Sequence, residues 1–451
     1  MKRMKYFALS VVLLCGAGLF SACTVENDNP AVSPTKQEAV DNREVLINHI
    51  ESDAKTIAEN LCTESFNVTS QAYAQLLALI KLDKNFITNM KTLFSAISDN
   101  RLSISAVEKN SELAKMGYLA YVTVNNGGFC AQIIFDGKGG SRLLAADDLE
   151  FIFPANVTGI GTTLFKLIIK NSDECYQSVS MFNNLKRLAC INRLPKSVTM
   201  TLNGLIGGQE LTLSETLLSL ELPQDKDSEF VNFDTGSFKI FGKQSAYLNA
   251  GDESALDYSL SMEDDKMLFD YGFSRNGMSV LSCMAEMTLP QKENFLGQMS
   301  KNILDIADLQ AFTIRILDDL TLTGTISDGA AFAKEFTPAV KNRQQASSVD
   351  ELKATVESLN NSCLMQLYTN QMTMPETMKF CIVKRDNLYT IEPGLKDLRN
   401  DDFVPVSQLV DRQAIDDFNK PFEQSFTPAG SSAGSLLEFY SVFMQMMPLN
   451  R

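Results

Sequence analysis

The stretch between residues 255 and 287 leaves the chain little choice of conformation. Leu256, Tyr258, Leu260 and Met262 fall on every second position, with Asp257, Ser259 and Ser261 between them. Met267, Phe269, Tyr271 and Phe273 repeat the alternation against Asp270 and Gly272. Leu281, Cys283, Ala285 and Met287 repeat it once more. A period of two belongs to a strand with one face buried and the other in water. Glu263 to Lys266 and Arg275-Asn276-Gly277 punctuate these runs, and Asn-Gly is a strong hairpin signal. The expectation is a meander of long antiparallel strands. Its apolar side then needs a cover of helices or a second sheet.

Similar strand signals recur on both sides of this stretch. Tyr118–Val124 and Phe129–Phe135 flank Asn125-Asn-Gly-Gly128, and Ser197–Leu202 alternates with Val198, Met200 and Leu202 on one face. Phe312–Ile326 reads as strand, and Lys379–Val383 with Leu388–Ile391 reads as a further hairpin. Elsewhere apolar residues recur every three or four positions, as on the buried stripe of a helix. Thr35-x-x-Glu38 opens such a run to about Leu61, and Ser348-x-x-Glu351 opens another to about Tyr368, both in the pattern of a capping box. Ser70–Ile97, Ser105–Lys115, Glu293–Leu309, Ala330–Phe336 and Ser435–Met446 carry the same period. The fold class expected is α+β. N-terminal helices span 38–115, a central antiparallel β-meander sheet spans 116–290, and a C-terminal mixed helix and strand section spans 291–451.

The first 37 residues read as an address. Lys2, Arg3 and Lys5 precede the apolar run Tyr6 to Phe20, and small residues follow it. That is the three-part pattern of a secretory signal peptide, over 1–22, and the run is short of the ~20 residues a spanning helix needs. Phe20-Ser21-Ala22-Cys23 resembles a bacterial lipobox, with Phe20 in the Leu-like position and Leu19 one place early. The resemblance implies cleavage before Cys23 and lipidation, for instance with palmitate, at that cysteine. Residues 23–37, polar and carrying Pro30 and Pro34, read as a flexible tether. The whole start resembles lipoproteins of Bacteroidota-type bacteria, in which acidic residues after the cysteine direct export to the surface; Glu26 and Asp28 fit that pattern loosely. The resemblance covers some 35 residues and implies an outer-membrane lipid anchor, on either the periplasmic or the surface face.

Composition removes whole classes of chemistry. The chain has one histidine, His49, and no tryptophan among 451 residues. A Ser-His-Asp triad would have to use His49, and a site with two His ligands is excluded. The net charge of −15 repels phosphate backbones, so no nucleic-acid partner is expected. Cysteines other than Cys15 and Cys23 form no CxxC and read as small buried hydrophobes, with Cys175–Cys190 the most plausible local disulfide. No metal site and no cofactor is expected. Phe233-Asp234-Thr235-Gly236 resembles the Asp-Thr-Gly motif of aspartic peptidases, whose mechanism needs two carboxylates. One copy supplies one, so a hairpin turn is the preferred reading and an Asp234 hydrolase the last alternative.

These readings converge on a lipid-anchored envelope protein, non-enzymatic, with a binding or scaffolding role. Its partners are the membrane, through the anchor, and a protein or an apolar ligand. One concrete version is an apolar-ligand or lipid carrier in which Met262, Met267, Phe269, Tyr271 and Phe273 line a cavity under the sheet. Another is a glycan-binding surface lipoprotein, against which the lack of tryptophan counts. Cys23→Ala is expected to abolish acylation and to release the chain from the membrane fraction. Intact-mass measurement and fractionation of envelopes check this, and an acylated Cys23→Ala protein would refute the assignment.

Overall fold

The computed structural model describes residues 42–60, 64–83, 86, 88, 123–125, 128–182, 188–221, 231–232, 238–247, 253–263, 266–288, 308–317, 319–336, 338–339, 344–372, 374–385, 387–396 and 402–410. Helices α1 (Asn42–Asn60) and α2 (Glu64–Leu82) come first. Strands β1 (Thr123–Asn125), β2 (Gly128–Phe135), β3 (Ser141–Leu144), β4 (Leu149–Val157) and β5 (Gly161–Asn171) follow. Then come β6 (Cys175–Phe182), β7 (Leu188–Pro195), β8 (Ser197–Ile206), β9 (Gln209–Glu221) and β10 (Val231–Asn232). The meander continues through β11 (Phe238–Tyr247), β12 (Glu253–Glu263), β13 (Lys266–Arg275), β14 (Met278–Thr288), β15 (Asp308–Ile316) and β16 (Leu320–Ile326). Helices α3 (Gly329–Phe336) and α4 (Asp350–Ser362) precede β17 (Cys363–Tyr368), β18 (Glu376–Arg385), β19 (Leu388–Lys396) and β20 (Phe403–Pro405).

Seventeen of these strands form one sheet. From β2 it runs through β4, β5, β8, β9 and β11, then strand by strand from β12 to β20. Every one of these junctions is antiparallel except β2–β4. β10, β6 and β7 make a separate three-stranded sheet. The protein is thus mostly β, with a few helices, and the coarse α+β class holds in that form. The meander predicted over 255–287 is β12, β13 and β14, in the register that alternation requires. The section boundary expected near 290 falls between β14 and β15, which pair directly.

The apolar face is buried in two clusters. In the first, Ala72, Tyr73, Leu76 and Ile80 of α2 pack on Phe151, Phe153, Phe165 and Leu202. In the second, Leu46 and Ile50 of α1, Phe332 and Phe336 of α3, and Leu352 and Leu359 of α4 cover β13 to β19. Two helices adjacent in sequence therefore serve different cores. Polar residues stand between the clusters. Ser214 and Thr216 of β9 and Gln244 of β11 are buried beside one another in register. The Tyr73 hydroxyl faces Ser214 and Thr216, and burial pushes its pKa up to about 12. The three hydroxyls influence one another, yet none meets hydrogen-bond geometry with a protein atom.

A sheet of this length must curl or divide its core. Register shifts at Leu202/Asn203, Phe273/Ser274 and Glu286/Met287 supply bulges that bend it. Aromatic rings also lie over glycines directly across the ladder. Tyr258 covers Gly242 and Phe312 covers Gly324, and a Cβ on either glycine would stand about 2 Å from the ring.

Several local expectations need correction. The helix read to Tyr368 ends at Ser362, because Met365 and Leu367 turn to the core on a strand paired with β16. The helix read as Ser70–Ile97 starts at Glu64, and α2 ends at Leu82. Next to it the Asp83 carboxylate accepts from the Phe86 amide at 3.0 Å and from the Ser141 hydroxyl at 2.7 Å. Leu309, read as the end of a helix, lies in β15. Cys175 stands opposite Pro195 and Cys190 opposite Ser180. Five residues of strand, about 16 Å, separate them, too far for a disulfide. The Thr35-x-x-Glu38 cap and the helices read over 105–115 and 435–446 lie outside the described residues.

Gly242→Ala and Gly324→Ala are each expected to destabilise the fold by about 1–3 kcal/mol, because the new methyl overlaps a buried ring. Gly272→Ala, whose Cβ meets nothing within 4 Å, should be tolerated. Thermal melts of the three variants test this, and equal melting points for all three would contradict it.

Candidate functional site

On the face of the sheet opposite the helices, strands β9 and β11 to β15 surround a hollow of about 450 Å³. Register places its side chains in two cross-strand rows. One row runs Lys243, Asp257, Gly272, Ser282 and Arg315 across β11 to β15. The other runs Ser219, Phe241, Ser259, Asp270, Met284 and Thr313. Gly272 is the reason for the open floor, since any side chain at that position would project into the space.

The rows mix both signs of charge with hydroxyls. Two carboxylates, Asp257 and Asp270, sit near the middle, and Lys243 and Arg315 stand toward the ends of the first row. The Ser259 hydroxyl donates to Asp270 Oδ2 at 3.2 Å. Partial burial holds the Asp257 carboxyl above the ordinary carboxylate range; Lys243 pulls it back and Glu253 adds to the rise. The Lys239 ammonium lies 4.3 Å from the centroid of the Phe241 ring and fixes that ring at one edge of the hollow. Such a surface can hold a small polar molecule by several weak, directed contacts.

The residues singled out for an apolar cavity lie on the other face. Met267, Phe269, Tyr271 and Phe273 are only 1, 6, 5 and 2% exposed. They belong to the cluster packed by α1, α3 and α4, so their side chains are packed core; of the four, Tyr271 also borders the hollow. Met262 stands opposite Met267 in the β12–β13 register. Cys23 and Asp234 lie outside the described residues. The hollow was missed because its residues read one by one as a solvated strand face. Alternation marked Asp257 and Asp270 as outward, but not that register aligns them with Lys243 and Arg315.

Other chemistry-bearing groups are structural. The thiols of Cys363 and Cys381 are pushed up to about 12 by burial, which makes them poor nucleophiles. Arg385 grips Glu392 through two hydrogen bonds of 2.9 and 3.0 Å, and both side chains meet Ser407, tying the chain after β20 to the sheet. Among the described residues no three His, Cys, Asp or Glu side chains converge to hold a metal ion. No described helix is long and apolar enough to cross a membrane.

His49 joins α1 to the sheet, with Nδ1 3.1 Å from Asp319 Oδ2 beside the β15–β16 turn. Asp53 lies one turn along α1, buried, with Oδ2 lacking a partner. Burial raises its pKa from 3.8 to about 6; His49 lowers it and Asp319 raises it. A carboxyl whose folded pKa is raised contributes stability below its unfolded value and loses it as pH climbs through the folded one. Wild-type protein should therefore lose stability relative to Asp53→Asn as pH rises from about 4 to about 6. Melting curves across that range check this, and a constant difference between the two proteins would contradict it.

No protein-family model, no curated protein and no solved structure matches this chain.

Proposed function

We propose that the chain is a lipid-anchored protein of the bacterial cell envelope with a non-enzymatic binding role, and that the hollow over Gly272 is its binding surface. The observation that carries this reading is the hollow itself. It gathers two carboxylates, two cations and four hydroxyls into two cross-strand rows. Small-molecule sites are concave and rely on a few convergent polar groups. The lipobox at Cys23 and the polar segment after it support anchoring, with the folded body held off the membrane by the tether.

The apolar-carrier version loses support on physical grounds. Its lining residues already touch helices, and an apolar ligand would have to displace that packing. The loss of one buried large side chain from such a core costs about 2–5 kcal/mol. The Asp234 hydrolase version lacks a second Asp-Thr-Gly copy in the sequence and would require a homodimer.

Native mass spectrometry of the protein extracted from envelopes tests the binding surface. Wild-type protein is expected to carry a non-protein mass that is lost on denaturation, and Gly272→Phe, which fills the hollow, is expected to carry none. An apo wild-type spectrum, or a bound mass that survives in Gly272→Phe, would sink the assignment.

A further inference from the structure

The hollow restricts the kind of ligand it can take, and this step rests on the binding role proposed above. An anion would meet Asp257 and Asp270 in the middle of the surface, and a cation would meet Lys243 and Arg315 toward its ends. The chain's net charge of −15 further opposes any polyanion. The polar groups are instead suited to a neutral molecule that both donates and accepts. Carboxylates accept from adjacent hydroxyls, Lys and Arg donate to hydroxyl or ether oxygens, and Ser219, Ser259, Ser282 and Thr313 do either. Asp270 is already oriented by Ser259, so part of the ordering cost is met before binding.

Apolar surface is interleaved with these groups and not gathered in a pocket of its own. Leu217 and Phe241 flank the carboxylates on one side, and Met284 flanks them on the other. A ligand that fits must therefore show a C–H face as well as a hydroxyl edge, which is the character of a pyranose ring. The hollow is open, and five strands at about 4.8 Å spacing put roughly 19 Å of sheet between Lys243 and Arg315. A surface of that length, open along its run, suits a chain of rings better than a single one. We infer that the hollow lined by Asp257, Asp270, Lys243, Arg315 and Phe241 binds a segment of neutral oligosaccharide. Tryptophan is not required for this, because Phe241, held by Lys239, supplies the aromatic surface.

The test uses the full lipoprotein, purified in a polyoxyethylene detergent that contains no sugar. The probes are neutral glucan, mannan and xylan oligosaccharides, with a uronic-acid polymer for comparison. Wild-type protein is expected to bind at least one neutral series. Asp257→Asn, Asp270→Asn and Gly272→Phe should each weaken it tenfold or more. Ser261→Ala and Glu286→Gln, on the same face but outside the hollow, should not. Binding to none of the neutral series, binding to the acidic polymer alone, or binding that Gly272→Phe leaves intact would each overturn the inference. Native mass spectrometry separates this failure from that of the underlying reading. A bound mass of another class, absent from Gly272→Phe, removes the oligosaccharide and keeps the site; an apo spectrum removes both.

Discussion

Everything in this protein follows from covering one apolar face of a very long antiparallel sheet. Seventeen strands joined edge to edge present more hydrophobic surface than one helix can bury. Four described helices divide the work. Because α1 and α2 are consecutive, the chain could have laid both on the same strands. It places Leu46 and Ile50 in one core and Tyr73, Leu76 and Ile80 in the other. Between them stand the buried polar residues Ser214, Thr216 and Gln244, the first two facing the Tyr73 hydroxyl of α2.

Curvature is what allows a sheet of that length to remain continuous. Glycines opposite aromatic rings let Tyr258 and Phe312 lie flat against the backbone of the neighbouring strand. Bulges shift the register at three junctions without turning the apolar side outward for more than a residue. The same geometry shapes the opposite face, where a glycine without a ring above it, Gly272, leaves the floor of the hollow open. Close packing on one side and an open hollow on the other thus come from the same residue type in different registers.

This division also separates the residues that hold the fold from those that line the hollow. Met267, Phe269, Tyr271 and Phe273 hold the fold, and Asp270 and Gly272, their neighbours in sequence, face the hollow. Substitutions on the outer face can alter the hollow without opening the core. On the covered side, His49 Nδ1 lies 3.1 Å from Asp319 Oδ2, near Asp53, and this contact fastens α1 to the sheet.

Much of the fold was legible because a period of two depends only on which neighbours share a face. The strands over 255–287 and the hairpin at 379–391 were readable on that basis. So was the helix at 330–336, from its period of three to four. The end of α4 was not, since Asn361-Ser362-Cys363 carries no break strong enough to stop a helix; pairing with β16 decided it. By itself the sequence determined the alternation, the single histidine and the absence of tryptophan, and the Phe-Ser-Ala-Cys run at 20–23. Only the tertiary structure decided which helix covers which strands and which outward side chains stand in one row. Those depend on register between residues up to 98 positions apart, as with Leu217 and Lys243 against Arg315 across five ladders, and no local pattern encodes them.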